Sequence, residues 1–257
     1  MAKYDFFYLI DIQYLGMRYH GWQIQGKLKT IQLVLSKTLR FIGLSSCKVL
    51  PSGRTDALVS AFEGKLELFS KTALDTTWLM NEMNANLPAD VALTAISPVD
   101  ATFNVIQDVT EKEYSYYFYT GNQKYPLSAS LLGYFKEQLD IKPMMQAASI
   151  FEGKHDFSFF CKDVKADNKK IRLLSHAKLT KNQELSASFF PPESYVFTVR
   201  GSGFGRHQIR LMMGALMMIG AGSITEEQLI LALQGVDPDF NCVLAPGSGL
   251  MLKYVKY

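Results

Sequence analysis

Cysteine is scarce in this chain: its 257 residues contain three, Cys47, Cys161 and Cys242. They lie far apart, are odd in number and form no Cys-x-x-Cys pair. This argues against a disulfide framework and a thiolate zinc site, and it fits a reducing cytoplasm. An excess of one charge is also missing, since 27 basic against 24 acidic side chains leave a net +3. That balance does not announce a nucleic-acid binder, although local clustering can still create a basic face. Long apolar runs are absent too. The most apolar stretch, Leu211 to Gly222, follows Arg210 directly, contains three glycines and is much shorter than the roughly 20 residues that span a bilayer. It reads as a buried helix in a soluble protein with no membrane partner. Asp5 interrupts the apolar start of the chain and no small-residue cleavage pattern follows, which argues against a signal peptide. Repeats, low-complexity tracts, a Gly-Lys-Thr phosphate loop and a His-Glu-x-x-His pair are all lacking, so the motifs point to no cofactor and no metal.

What is present suits a globular protein. Hydrophobic residues make up 48% of the chain, enough for one large domain or two of about 130 residues each. Phe6 to Tyr14 alternates as a first strand. Thr30 is placed to cap a helix whose apolar positions, Ile31, Val34, Leu35, Leu39 and Ile42, recur at helical spacing up to Gly43. Lys65 to Phe69 reads as a strand and Asp75 as the cap of a helix through Asn84. Val91 to Ile96 reads as a strand ended by Pro98. In the second half, the aromatic run Tyr114 to Tyr119 suits a strand with one face on the core and the other lining a surface or cleft. Helices are expected from Pro143 to Phe151, from His207 to Ile219 and from Thr225 to Leu233. Tyr195 to Arg200 and Leu250 to Val255 read as strands. The lysine-rich stretch Lys162 to Arg172 is the best candidate for a mobile loop. This pattern predicts an α+β fold with a largely antiparallel sheet.

Four segments carry chemistry-bearing residues. The turn Ser52-Gly53-Arg54-Thr55-Asp56-Ala57 offers a fixed charge and a titratable one. Gly53 permits a tight backbone, and Val49-Leu50 and Phe62 are placed to tie its ends to a core, which would aim Asp56 outward. From the residues alone, a solvated surface loop looks the same. Gly201-Ser202-Gly203-Phe204-Gly205-Arg206, between a strand and a helix, resembles a dinucleotide-binding turn. Arg206, however, stands where helix packing wants a third glycine, and no acidic residue ends a following strand. Arg206, His207 and Arg210 are spaced to share a face at the start of the next helix. Cations there oppose the helix dipole and suggest an anionic partner, or else an ordinary surface cluster. Met212, Met213, Met217 and Met218 suit an irregular core. Finally, Tyr14 to Gln25 is a glycine-punctuated loop dense in aromatic and polar tips. It suits stacking on unpaired RNA bases, and equally a folded turn with core aromatics.

Taken in order from about Phe7 to Tyr254, these pieces resemble the TruA family of tRNA pseudouridine synthases. The matching segments are the Gly16 to Gln25 loop, Gly53-Arg54-Thr55-Asp56-Ala57, Asn84-Ala85-Asn86-Leu87-Pro88, Tyr114-Ser115-Tyr116, Gly153-Lys154-His155-Asp156-Phe157, Gly203-Phe204 with His207 and Arg210, and Gly249-Leu250. The resemblance implies the pseudouridine synthase fold, with two α/β domains around a mixed sheet, here divided as residues 1–104 and 105–257. It also implies a homodimer with RNA-binding clefts and cofactor-free isomerisation of uridines in the anticodon stem-loop of tRNA. By the same resemblance Asp56 is the catalytic nucleophile, Tyr114 the active-site tyrosine that stacks on the base, and Arg210 the arginine that pairs with the aspartate. Arg54 is the arginine that enters the RNA helix beside the displaced nucleotide, and Phe204 and His207 are substrate-binding. Burial disfavours a charged carboxylate and a neighbouring guanidinium restores it, which is the physical reason for such an arginine.

Departures accompany the matches. After Ala57 the family usually continues Gly-Val-His-Ala, whereas this chain has Leu58-Val59-Ser60-Ala61. Leu58 therefore suggests a displaced backbone at a position that wants glycine. Leu15 stands where an aspartate is common, Asn104-Val105-Ile106-Gln107 replaces His-Ala-Arg-Phe, and Glu113 replaces a basic residue. Lost phosphate contacts would weaken RNA binding and flatten its salt dependence. Two other readings thus stay open beside tRNA modification: an RNA-binding or folding protein on the same scaffold without turnover, and a synthase with a different RNA target.

Overall fold

The computed structural model describes residues 4–162, 170–236 and 240–257. The strands are β1 (Phe6–Tyr14), β2 (Lys48–Pro51), β3 (Ser60–Ser70), β4 (Val91–Val99), β5 (Glu111–Thr120), β6 (Gly133–Phe135), β7 (Gly153–Asp156), β8 (Ile171–Lys181), β9 (Tyr195–Gly201) and β10 (Leu250–Lys256). The α-helices are α1 (Ile31–Phe41), α2 (Thr76–Asn86), α3 (Ile141–Ala148), α4 (Gln208–Gly220) and α5 (Glu226–Leu233). Two compact units result, one of Met1–Thr110 with Leu252–Tyr257 and one of Glu111–Met251. Residues 163–169 of the lysine-rich stretch expected to be mobile lie outside the described residues.

In the first unit β1 alternates because Tyr8, Ile10, Ile12 and Tyr14 point into the core while their neighbours face outward. It pairs antiparallel with β3 on one side and β4 on the other, and β2 extends the sheet beyond β3. Helix α1 begins where Thr30 accepts the Leu33 N–H, and α2 where Asp75 accepts those of Thr77 and Trp78, the caps that the sequence predicts. Leu35 and Leu39 of α1 and Leu79 and Met83 of α2 then pack over Ile10, Leu66 and Leu68. Two expectations fail here. Strand β4 runs through Pro98 to Val99; it is an edge strand, where a missing N–H on the open side removes no ladder bond. Phe62 does not tie the Asp56 turn to the core. Strand β3 starts at Ser60 rather than Lys65, which leaves Phe62 on the outer face, 47% exposed, with Lys253 Nζ 5.1 Å from its ring centroid. Its neighbours Val59 and Ala61 are buried instead.

In the second unit β5, β9, β8 and β7 follow one another in an antiparallel sheet, and β6 joins β5 in parallel. The sheet is thus mixed but largely antiparallel, as the sequence pattern predicts. Helix α4 is apolar almost all round and is buried along most of its length, Met212 and Met213 completely. Helix α5 starts with a capping box between Thr225 and Gln228. Strand β5 is more deeply buried than expected: every residue from Lys112 to Tyr119 is buried, Tyr114 at 8% keeping the most exposure of its aromatic run. Strand β8, among the longest in the chain, has no counterpart in the sequence reading. A register shift between Leu174 and His176 breaks the two-residue alternation by which a strand is recognised.

Lys112 is the cation among those buried β5 positions, 9% exposed, and burial pulls its ammonium pKa down to about 8. The folded state therefore binds this proton less tightly than the unfolded chain, so the group's contribution to stability rises with pH from about 8 towards the ordinary lysine value and is least favourable below 8. A shift of this size corresponds to about 3 kcal/mol at most. Lys112→Met is expected to flatten the rise in stability between pH 8 and 10, read as urea midpoints across that range. A variant that keeps the parent's full rise would contradict this.

Candidate active site

The Asp56 turn links β2 to β3, and its shape comes from a second loop packed against it backbone to backbone. The Trp22 N–H donates to the Thr55 carbonyl at 3.0 Å and the Leu58 N–H to the Tyr19 carbonyl at 3.1 Å. The Gly16 N–H donates to Ser60 Oγ at 2.9 Å, and the Tyr14 hydroxyl shares a buried 2.8 Å bond with Thr55 Oγ1. Such closeness explains two glycines. A Cβ at Gly16 would stand 2.2 Å from the Val59 carbonyl oxygen, and one at Gly21, whose φ is +83°, 2.6 Å from that of Thr55. The clamping loop is in turn fixed to the start of β4, where Asp90 accepts Arg18 Nε at 2.6 Å and the Tyr19 hydroxyl at 2.7 Å. The Arg18 bond holds the Asp90 carboxyl below the usual carboxylate range. Held in this way, Asp56 is half-buried and Arg54 is exposed.

Leu58 answers the question its identity raises. The backbone has not moved away from the conformation glycine favours; Leu58 adopts it, with φ +69°. A leucine there costs roughly 1–2 kcal/mol of backbone strain, which the bonds at Leu58, Thr55 and Ser60 hold in place. Such strain concentrates at functional sites, and Leu58 lies two residues after Asp56.

The second unit carries Tyr114, Phe204, His207 and Arg210. Tyr114, on β5, is 8% exposed and meets Phe204 edge to face, with ring centroids 5.3 Å apart. His207 forms the N-cap of α4 in the left-handed region, with φ +63°. Arg210 lies inside α4, and its Nε donates to the Ala245 carbonyl at 2.7 Å while the Ala245 N–H returns a bond to the Arg210 carbonyl at 3.2 Å. That segment can lie so close because residue 214 is glycine: a Cβ there would be 1.7 Å from the Val243 carbonyl oxygen. Pro246 is fixed in turn by the Tyr116 hydroxyl at 2.8 Å. Burial pushes the Tyr116 phenol above the usual tyrosine range, and Arg210 partly opposes this.

Several expectations about binding groups change. The aromatic tips of the Tyr14 to Gln25 loop belong to the core, since Tyr14, Tyr19 and Trp22 are each at most 4% exposed and offer no face to a base; His20 and Gln23 remain outside. Arg206 precedes α4, so only Arg210 of the expected basic trio sits within the helix. The glycine turn after β9 is a packing device. Strand β9 is antiparallel to both neighbours, unlike the parallel unit of a dinucleotide site, and a Cβ at Gly205 would meet Cys161 Sγ at 2.2 Å. Glu113 is buried and paired with Arg200 on the adjacent strand, Nε to Oε2 2.5 Å. Asn104 closes its own loop by accepting the N–H groups of Ile106 and Gln107. Among the described residues no group of three His, Cys, Asp or Glu side chains is placed to hold a metal ion, and no helix is long and apolar enough to cross a membrane.

Comparison with known proteins agrees along the chain. A family model described as tRNA pseudouridine synthase matches residues 147–257. The tRNA pseudouridine synthase A of Staphylococcus saprophyticus is 30% identical over 247 residues, covering 96% of this chain and 89% of that protein. Those of Exiguobacterium sibiricum and Geotalea daltonii are each 31% identical over 96% of this chain, covering 94% and 97% of their own lengths.

The strain at Leu58 and the close approach at Gly21 make opposite predictions. Leu58→Gly is expected to stabilise the protein by about 1 kcal/mol, seen as a higher urea midpoint at unchanged slope. Gly21→Ala is expected to lower stability by more than about 1 kcal/mol. A destabilised Leu58→Gly or a neutral Gly21→Ala would show that the two loops are not held as described.

Proposed function

The chain belongs to the tRNA pseudouridine synthase family, and from that membership we propose that it isomerises uridine to pseudouridine in the anticodon stem-loop of tRNA, with Asp56 as the catalytic nucleophile. The observation that carries the role of Asp56 is local: a half-buried aspartate on a turn fixed by backbone hydrogen bonds, next to an exposed arginine. Preorganised groups need no rearrangement when the reaction occurs.

The chemistry is balanced within the substrate. The bond between ribose C1′ and uracil N1 breaks, the base turns, and a bond between C1′ and C5 forms while the C5 proton moves to N1. No electrons enter or leave, and product and substrate are isomers. In this reading Asp56 starts glycosidic cleavage by attack or by proton abstraction. Tyr114, braced edge-on by Phe204, stacks on the uracil, Arg210 supplies the positive charge that favours an ionised carboxylate, and His207 contacts the RNA. A uridine within a stem must leave the stack first, at a cost of a few kcal/mol, and Arg54, exposed on the same turn as Asp56, fills the vacated space. Homodimeric assembly and a cytoplasmic location belong to the same proposal.

The test uses total tRNA labelled in uridine. The parent protein is expected to form pseudouridine. Asp56→Asn is expected to lose turnover by at least roughly 10²-fold while binding tRNA within a few-fold of the parent. Undiminished product from Asp56→Asn would overturn the role of the aspartate. Binding without any product from the parent would favour the non-catalytic RNA-binding reading.

A further inference from the structure

Between Arg54, which is exposed, and Asp56, which is half-buried, Thr55 turns inward and is 8% exposed. Its carbonyl accepts the Trp22 N–H at 3.0 Å. Its hydroxyl meets the Tyr14 hydroxyl at 2.8 Å, in a buried hydrogen bond that either oxygen can donate. The first contact joins loop to loop, and the second joins the turn to the sheet. Tyr14 ends β1, the strand lying between β3 and β4, and its backbone stands in register with Ala61 on one side and Val91 on the other. A register shift between Ile12 and Tyr14 against β3 is the kind of irregularity that re-aims a side chain beside a site. The Tyr14 ring is 4% exposed and lies 6.3 Å from the Trp22 ring between centroids. Burial raises the Tyr14 phenol above the usual tyrosine range, and the Thr55 bond only partly opposes this, so the hydroxyl stays protonated at every working pH.

We propose that Tyr14 is a positioning residue for the reaction, setting the direction of the Asp56 carboxylate through its hydrogen bond to Thr55. The inference rests on the reading that Asp56 is the reacting group, and it adds the contact that aims that group. Threonine is β-branched, so its χ1 has few wells. A bond to a phenol rooted in the sheet selects one of them and fixes the direction of the Thr55 Cα–Cβ bond. The next Cα along the chain, about 3.8 Å away across a planar peptide, is that of Asp56. Loss of the bond leaves initial tRNA docking intact and misplaces a carboxylate that acts once the nucleoside is extruded. The effect therefore falls on kcat. A bond that served stability alone would behave differently. One buried hydroxyl left without its partner costs stability, whereas removing both members of a pair is nearly neutral, so activity would then recover together with stability.

The experiment measures single-turnover rate, kcat and tRNA Kd for Tyr14→Phe, Thr55→Val, the double variant and Thr55→Ser, with urea midpoints alongside. Tyr14→Phe keeps the ring and Thr55→Val the branched shape, and each removes only a hydroxyl. The expected result is a roughly tenfold loss of kcat in each single variant, with Kd changed less than about twofold. The double variant should regain much of the stability that either single change loses, yet turn over no faster and no slower than the single ones. Thr55→Ser, which keeps a hydroxyl, should retain most of the rate. Parental kcat in a folded Tyr14→Phe, recovery of kcat along with stability in the double variant, losses that add there, or a loss carried by Kd would each overturn the inference. If Tyr14→Phe does not fold, Thr55→Val against Thr55→Ser decides it, equal rates for the two refuting it. Asp56→Asn in the same assay separates the two levels. If Asp56→Asn turns over, the functional reading has failed; if it is inactive while Tyr14→Phe matches the parent, only the role of Tyr14 has.

Discussion

Two stretches of backbone in the first unit approach so closely that no side chain fits between them, and the geometry of the Asp56 turn depends on that approach. At Gly16 and Gly21 the neighbouring atoms are the carbonyl groups of Val59 and Thr55, within 2.6 Å of where a Cβ would stand. Two main-chain hydrogen bonds, Trp22 to Thr55 and Leu58 to Tyr19, then join the loops as a short length of sheet would. Main-chain bonds constrain a turn better than side-chain contacts do, because the peptide plane leaves only two soft torsions per residue. The left-handed Leu58 follows from the same constraint: the surrounding bonds determine its φ, and leucine tolerates the result.

The second unit uses related means to fix its cation. Arg210 is held at both its main chain and its guanidinium by one residue, Ala245, and the absent side chain at Gly214 lets that segment lie against α4. In each unit a polar group proposed to act on RNA is oriented by backbone that itself has nowhere to go. Strand β5, deeply buried, gives Tyr114 the same rigidity, and Phe204 sets the tilt of its ring. The ion pair between Glu113 and Arg200 neutralises a charge that family comparison marks as unusual, and it does so across neighbouring strands at a paired position.

Much of the local structure was legible in the sequence because it is decided locally. Thr30, Asp75 and Thr225 announce their helices by hydrogen bonds that span two or three residues, and β1 shows a clean alternation. The turn around Asp56 was legible as a turn and as a family motif. What holds it was not, because the partners Tyr14 and Thr55 are 41 residues apart. Nothing in a leucine signals a positive φ; only the contrast with the family's usual glycine raised the question at Leu58. Aromatic residues in a glycine-rich loop fit a stacking platform and a buried anchor equally well, and tertiary packing made Tyr14, Tyr19 and Trp22 anchors. Strand β8 escaped notice because its bulge interrupts the period that identifies a strand, and Phe62 because an isolated aromatic next to a turn does not say which face of β3 it occupies.

The central claim is that the Asp56 turn is immobilised by main-chain bonding to the Gly16–Trp22 loop, and amide hydrogen exchange of the native protein tests it directly. The account predicts that the Trp22 and Leu58 amides exchange as slowly as those within β1, opening only when the first unit unfolds. Exchange of these two amides at the rate of an exposed loop, while β1 stays protected, would contradict it.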